Sequence, residues 1–219
     1  MARLHNGQSF PSLHIPAVGG GQISLPDDLA GSYGVVLFCR GSWCPFCNAQ
    51  LAAFAGASDR LTELGVEVVA LSVDDEQTSA ALADKHRLSV RLGHSADADK
   101  VAAVTGAYTN DDPRYLQSTG FVLGRDGVVL TAVYSSGAVG RLVAEDVVGF
   151  VADIQSRALI PALLHVQEDR FRHADQPTHD RSEHRARHPR GARRHRGHDR
   201  IPEVRRDAID RSWRQLRTG

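Results

Sequence analysis

Two kinds of hydrophobic pattern alternate along residues 21–159 of the chain. Short continuous apolar runs are typical of strands buried on both faces, whereas apolar residues that recur every three or four positions are typical of amphipathic helices. The short runs predict strands at 21–25, 35–39, 66–73 and 90–94, and two runs around Arg-Asp-Gly predict a hairpin at 119–134. The helical spacing predicts helices at 44–64, 74–88, 97–108 and 141–159, and the turn-forming residues of 109–118 predict a loop.

This order of elements predicts an α/β fold, a three-layer sandwich around a mixed central sheet. Buried parallel strands come first and the antiparallel hairpin comes last, within a domain that spans residues 1–165. No apolar stretch reaches the roughly 18 residues that a membrane-spanning helix needs. The N-terminus also lacks the continuous apolar segment of a secretory signal, so we expect a cytoplasmic protein without a membrane partner.

The hydrophobic pattern ends near residue 165, and the composition changes with it. Residues 1–170 hold 12 Lys and Arg against 19 Asp and Glu, whereas residues 171–219 hold 14 Arg against 7 acids. Residues 166–219 are therefore predicted to be a disordered basic tail, in which 201–216 could form one short helix. Such a tail could bind nucleic acid through phosphate contacts. Residues 181–200, however, contain no aromatic side chain to stack on bases, so a solvated tail is the simpler interpretation.

A pair of cysteines, Cys44 and Cys47, follows the apolar run that ends at Cys39. Three cysteines are too few for a disulfide-stapled secreted fold. A structural zinc site needs four ligands, usually as two pairs, and no second pair with that spacing exists, so no metal is expected. Buried cysteines can also be simple small hydrophobes, which is the plainest interpretation and the one that we prefer for Cys39.

The position of the pair favours a redox role. Cys44 falls where a buried strand passes into a helix, and unpaired amides at a helix start lower a thiol pKa towards the ~3.5–7.5 range of reactive cysteines. Pro45 suits the first helical turn, where its missing N–H would have no partner. Cys47 returns to the same helical face and is close enough for a disulfide. Arg40 adds positive charge nearby.

The wider frame resembles a known family. The segments "VVLFCRGSWCPFC", "GVEVVALSVDD" and "FVLGRDGVV" are similar, in order and spacing, to peroxiredoxins of the alkyl hydroperoxide reductase/thiol-specific antioxidant group. "GRLVAEDVVGFV" resembles the last helix of that group, and Trp43-Cys44 and "CPFC" resemble thioredoxin and glutaredoxin motifs. The resemblance covers about residues 10–158 and implies a thioredoxin-like fold.

The resemblance also implies a function, that of a thiol-dependent peroxidase. Cys44 would be the peroxidatic cysteine, which attacks a peroxide oxygen and becomes a sulfenic acid. Cys47 would resolve it as a disulfide, and a thioredoxin-like or other low-molecular-weight thiol reductant would restore the dithiol. The family needs no cofactor, and a homodimer is compatible with it.

The sequence departs from the family at positions that matter for catalysis. Gly41 and Leu37 stand where typical peroxiredoxins have Thr and Pro, so the hydroxyl that orients the peroxide is missing unless Ser42 replaces it. Ser118 aligns with the family's Arg, and we expect Arg141 to be the second cation. Catalytic candidates are therefore Cys44, Cys47, Arg40, Ser42, Trp43 and Arg141.

Two further residues are candidates for substrate binding, Pro45 and Thr119. Thr119 lies in "QSTGFV", where thioredoxins and glutaredoxins carry a cis-proline that helps to bind partner chains. The absence of that proline favours a peroxidase over a dithiol–disulfide oxidoreductase that acts on protein or glutathione disulfides. A third hypothesis is a redox-sensing binding module, in which the dithiol changes state and the basic tail contacts an acidic partner.

Overall fold

The computed structural model describes residues 3–158, which contain the predicted sandwich. The strands are, in chain order, β1 Leu13–Pro16, β2 Gln22–Leu25, β3 Tyr33–Phe38, β4 Val66–Leu71, β5 Arg91–Gly93, β6 Thr109–Asn110, β7 Tyr115–Leu116, β8 Thr119–Leu123 and β9 Val129–Tyr134. The helices are α1 Pro45–Gly56, α2 Ser58–Glu63, α3 Glu76–His86 and α4 Ala98–Thr105, followed by α5, which is described over residues 144–158. A short 3-10 turn at Asp27–Leu29 precedes β3.

The central sheet is mixed, as the sequence predicts. Its five strands lie in the order β5-β4-β3-β8-β9. Strands β3, β4 and β5 are parallel, whereas β8 is antiparallel to both β3 and β9. Strand β3 therefore lies at the centre of the sheet, and its carboxyl end is flanked by the end of β4 and the start of β8.

Alternate residues of the central strands face two separate cores, which makes the fold a three-layer sandwich. Val36 and Phe38 of β3 belong to the core under α4 and the β1–β2 hairpin. Val35 and Leu37 belong to the opposite core, which α1, α2 and α5 cover and which contains the three cysteines. The period of two in a strand thus produces two hydrophobic faces, and this confirms the predicted fold class.

The helix predicted over 44–64 is wrong in one respect, because the structure divides it into α1 and α2. The break lies at Ala57, whose N–H donates to the carbonyl oxygens of both Ala53 (3.1 Å) and Phe54 (3.2 Å). Gly56 ends the first helix, and its lack of a side chain weakens helix continuation at that point. The apolar face nevertheless continues across the break, since Phe54 and Leu61 enter the same core.

Two small elements escaped the sequence analysis. Strand β1 pairs with β2 in an antiparallel hairpin, but its four residues are too few to show a period of two. The predicted loop 109–118 contains the short pair β6–β7, and Tyr115 of β7 is buried. The predicted tail at 166–219 and its helix at 201–216 lie outside the described residues. None of the helices within residues 3–158 is long and apolar enough to cross a bilayer.

Close packing against β8 holds the segment that enters α5. A Cβ atom at Gly120 would lie 2.7 Å from Cδ1 and 2.9 Å from Cγ of Leu142. We therefore expect Gly120→Ala to lower the free energy of unfolding by about 1–3 kcal/mol, because the whole Leu142 side chain must move in a packed core. Urea unfolding followed by circular dichroism measures this change.

Gly149→Ala is the matched control, because a Cβ atom at this helical position meets no atom of residues 3–158 within 4 Å. It should leave stability unchanged or raise it by about 0.5–1 kcal/mol through helix propensity. Equal stability of Gly120→Ala and the wild type would contradict the packing of Leu142 on β8.

Candidate active site

The cysteine pair lies in a tight connection between β3 and α1. Strand β3 is extended by Cys39, whose N–H donates to the Leu71 carbonyl oxygen at 2.8 Å. The chain then turns at Gly41, and the Cys44 N–H donates to the Gly41 carbonyl oxygen at 3.1 Å. Cys44 is the N-cap residue of α1 and Pro45 is its first helical residue, as expected from the missing N–H of proline.

All three thiols are free and buried, and two guanidinium groups contact the Cys44–Cys47 pair. One Nη atom of Arg141 lies 3.5 Å from the Cys44 sulfur and 3.1 Å from the Cys47 sulfur. The other cation is Arg40, with an Nη atom 4.0 Å from the Cys44 sulfur. The structure thus brings together four of the predicted catalytic residues, Arg40, Cys44, Cys47 and Arg141.

The positive charge at the thiols does not come from a capped helix start. The Cys44 side chain makes no capping hydrogen bond with α1, although the sequence led us to expect the free amides of that helix to meet its sulfur. Instead, the Arg40 backbone N–H donates to the Cys47 sulfur at 3.2 Å, and Arg141 donates to both sulfurs. A charged sulfur is therefore stabilised by donors from two segments that are far apart in the sequence, one at Arg40 and one at Arg141.

The pKa values of Cys47 and Cys39 are shifted in opposite directions. The neighbouring Cys39 thiol, the Arg40 N–H and Arg141 together lower the pKa of Cys47 to about 5, against the opposing effect of burial. The same contact with Cys47, together with burial, raises the pKa of Cys39 well above its ordinary value. At neutral pH Cys47 is therefore a thiolate and Cys39 a neutral thiol.

Arg40 lies between two aromatic rings. Its guanidinium carbon is 4.9 Å from the centre of the Trp43 ring and 5.2 Å from that of Tyr115, both within cation–π range. The two rings meet edge to face at 5.3 Å, and an Arg40 Nη atom donates to the Tyr115 hydroxyl at 2.8 Å. These contacts hold the guanidinium next to Cys44.

The loop between Arg40 and Cys44 is fixed from α1 and from the end of β4. The Ser42 N–H donates to an Asp74 carboxylate oxygen at 2.6 Å, and its carbonyl oxygen accepts from the Asn48 side-chain amide at 2.9 Å. Ser42 lines a groove that Trp43 and Gln77 of α3 also line. The proposed hydroxyl role of Ser42 stays a prediction.

Gly41 occupies a position that the family's threonine could not adopt here. Its φ of +147° lies in a region that L-residues rarely adopt. A Cβ atom at this position would lie 2.5 Å from Nε1 of Trp43 and 3.2 Å from a carboxylate oxygen of Asp74. Trp43 can therefore occupy its observed position only because residue 41 has no side chain.

The remaining predicted residues lie near the pair without touching a thiol. Thr119 begins β8 opposite Phe38, is buried, and donates its hydroxyl to the Gln117 carbonyl oxygen at 3.4 Å. Pro45 is exposed on the first turn of α1. Their roles in substrate binding stay predictions. Within residues 3–158 no group of three or more His, Cys, Asp or Glu side chains could hold a metal ion.

Sequence reasoning missed Tyr115 and understated Asp74. The two acids after β4 have different roles, since the Asp75 side chain caps α3 by accepting from the Thr78 N–H. Asp74 instead reaches across to the catalytic loop, a role that its place at a strand end could have suggested. Tyr115 lies in a segment with no periodic pattern, 75 residues from Arg40.

Comparison with a protein-family model gives one match, to the AhpC/TSA family over residues 6–132. Among curated proteins, the chain is 26% identical over 144 residues to a peroxiredoxin of Thermotoga petrophila, covering 64% of this chain and 66% of that protein. It is 29% identical over 147 residues to a putative peroxiredoxin of Mycobacterium tuberculosis, covering 64% of this chain and 91% of that protein. The chain thus spans just under two thirds of the Thermotoga relative.

Solved structures support the fold. Peroxidoxin BcpB from Mycobacterium tuberculosis superposes with a TM-score of 0.60 at 20% identity, covering 69% of this chain and 99% of that one. AhpC of Enterococcus faecalis superposes with a TM-score of 0.62 at 19% identity, covering 73% and 97%. The thioredoxin-like fold implied by the sequence resemblance is confirmed.

Arg141 should contribute to the low pKa of Cys47, alongside Cys39 and the Arg40 N–H. In a Cys44→Ser background, ultraviolet thiolate absorbance should disappear as the pH falls through about 5, because the pKa of Cys47 in the folded protein is about 5. Adding Arg141→Met should raise that midpoint by about one to three pH units, since an adjacent opposite charge lowers a pKa by that amount. Arg157→Met, at an exposed residue whose ion pair within residues 3–158 is with Asp153, is the control and should leave the midpoint unchanged. A midpoint insensitive to Arg141→Met would contradict this electrostatic role.

Introducing the family's threonine at position 41 should destabilise the protein. Gly41→Thr and Gly41→Ala should each lower the free energy of unfolding by about 1–3 kcal/mol, because both force an L-residue into a strained φ region. Gly137→Ala is the control, since a Cβ atom there meets nothing within 4 Å. Thermal unfolding of the three variants tests this, and an unaltered melting temperature for Gly41→Thr would show that the loop can relax around Trp43.

Proposed function

This chain belongs to the AhpC/TSA family, whose model matches residues 6–132, and from this premise we propose that it is a thiol-dependent peroxidase. One observation supports the proposal most strongly, the contact of two guanidinium groups with a buried dithiol. Cations beside a thiolate lower its pKa and also attract the negative charge that develops on a peroxide oxygen as its O–O bond breaks. The substrates are hydrogen peroxide or organic hydroperoxides.

Cys44 is the proposed peroxidatic residue. Its sulfur faces the Arg40 side chain, whereas the Cys47 sulfur is held by the Arg40 backbone N–H. The Cys44 thiolate attacks one peroxide oxygen, so an S–O bond forms and the O–O bond breaks. The sulfur is oxidised by two electrons to a sulfenic acid. The other oxygen takes a proton and leaves as water or as an alcohol.

Cys47 is the proposed resolving residue. Its pKa of about 5 makes it a thiolate at neutral pH, ready to attack the Cys44 sulfur. That attack forms the Cys44–Cys47 disulfide and releases the sulfenic oxygen as hydroxide, which takes a proton to become water. Because a single Nη atom of Arg141 contacts both sulfurs, the two are already close to each other before oxidation.

The proposed reductant is a thioredoxin-like protein or another low-molecular-weight thiol, which would reduce the disulfide by exchange. Exposed apolar side chains support docking of a protein partner, because Phe46, whose ring lies 5.8 Å from the Arg141 guanidinium carbon, and Val143 are 48% and 50% exposed. We also propose a cytoplasmic location, where such reductants keep thiols reduced. Homodimer formation is part of the same proposal.

Stopped-flow measurement of peroxide consumption by the reduced protein tests the function. Wild type should consume hydrogen peroxide or cumene hydroperoxide far faster than a free thiol. Cys44→Ser should abolish the reaction, whereas Cys47→Ser should accumulate a sulfenic acid that dimedone traps. Cys39→Ser is the control and should keep the first oxidation step, because Cys39 is not assigned to either step.

A wild-type rate no better than that of a free thiol would overturn the peroxidase proposal. Reduction of insulin or of a glutathione mixed disulfide by the same protein would then favour a dithiol–disulfide oxidoreductase. The redox-sensing hypothesis depends on the basic tail, and no contact within residues 3–158 favours it.

A further inference from the structure

The proposed reaction needs a hydroxyl at the peroxide, and the residue that the family uses for it is missing. A threonine cannot replace Gly41, because its Cβ would lie 2.5 Å from Trp43 and its φ is positive. The Ser42 side chain makes no hydrogen bond with a thiol among the described residues, and the Thr119 hydroxyl donates to the Gln117 carbonyl oxygen. Neither of the two candidates from the sequence is therefore placed at the thiol by a polar contact.

A different hydroxyl lies at the same guanidinium as Cys44. Arg40 contacts the Cys44 sulfur through one Nη atom at 4.0 Å and the Tyr115 hydroxyl through the other at 2.8 Å. Because the guanidinium group is planar and rigid, it fixes the phenol oxygen and the sulfur relative to each other. Tyr115 is buried, with 7% of its surface exposed, and Arg40 links its hydroxyl to the Cys44 sulfur.

The Tyr115 hydroxyl has a hydrogen that it does not donate to any of the described residues. The Tyr115 oxygen accepts from Arg40, and within residues 3–158 no acceptor takes its own hydrogen. The Nε atoms of Arg40 and Arg141 are also buried and have no partner among the described residues. Buried donors without acceptors are costly, and these donors belong to two arginines that contact the Cys44 sulfur and to the tyrosine bound to one of them. This arrangement indicates a position for an oxygen-containing ligand.

We propose, on the basis of the proposed peroxidase function, that Tyr115 supplies the hydroxyl that the family's threonine supplies elsewhere. Its O–H donates a hydrogen bond to the departing peroxide oxygen, while Arg40 and Arg141 stabilise the charge that develops there. The S–O bond forms at Cys44 as the O–O bond breaks. The departing oxygen takes a proton from solvent and leaves as water or alcohol, so Tyr115 is unchanged after the step.

Tyr115→Phe tests this assignment, because it removes one oxygen and keeps the ring against Trp43 and Arg40. The variant is built in Cys47→Ser protein, so that only the oxidation of Cys44 is followed. The rate constant with hydrogen peroxide should fall about 10²-fold, the usual cost of losing one transition-state donor. Alkylation of Cys44 by iodoacetamide needs the thiolate but no hydroxyl, so its rate and its pH profile should stay unchanged.

Tyr108→Phe is the matched control, because Tyr108 packs against Arg3 outside the site and should change neither rate. A peroxide rate equal to that of the Cys47→Ser parent would overturn the assignment. An equal fall in peroxide and alkylation rates would also overturn it, because Tyr115 would then only hold Arg40 in place. If wild type itself reacts no faster than a free thiol, the proposed function fails, and this inference fails with it.

Discussion

The contact of Arg141 with two buried sulfurs is the interaction on which the rest of the site depends. A thiolate in the core is costly unless donors and cations compensate its charge. Arg141 comes from the segment before α5 and reaches Cys44 and Cys47, which are more than ninety residues away in sequence. Several packing features serve this contact, among them the glycine at position 120 that admits Leu142. The buried Gln50 amide of α1 also donates to the Leu142 carbonyl oxygen at 2.9 Å.

Aromatic packing and the glycine turn form a second unit at the site. Trp43 lies over the turn at Gly41 and against the edge of Tyr115, and both rings enclose the Arg40 guanidinium. Gly41, Trp43, Arg40 and Tyr115 thus belong to one arrangement. With no side chain at position 41, the tryptophan can sit close to the backbone. The tryptophan in turn helps to hold the arginine, which binds the tyrosine hydroxyl. A single substitution in this unit would alter the others.

The two thiols of the pair occupy different electrostatic environments. Cys47 receives the Arg40 N–H, Arg141 and the influence of Cys39, and these lower its pKa. Cys39, which we first interpreted as a simple core residue, remains in the core but is also the largest influence on that pKa. The resolving thiolate is therefore prepared before oxidation starts, and its contact with Cys39, together with burial, raises the pKa of Cys39 and keeps that thiol protonated.

The sequence by itself determined the sandwich, the mixed sheet and the position of the dithiol after the central strand. These features follow from local patterns: apolar runs, helical spacing, Pro45 at a helix start and two cysteines three residues apart. It also indicated Arg141 through resemblance to a family. Only the tertiary structure decided which thiol is acidic, why position 41 is a glycine, and that Tyr115 lies at the site. The place of Tyr115 and the contact of Arg141 with the sulfurs depend on segments 75 to 97 residues apart. The glycine depends on the turn at position 41 and on how Trp43 and Asp74 pack there, and the low pKa of Cys47 depends also on Cys39. No periodic pattern in the chain records these contacts.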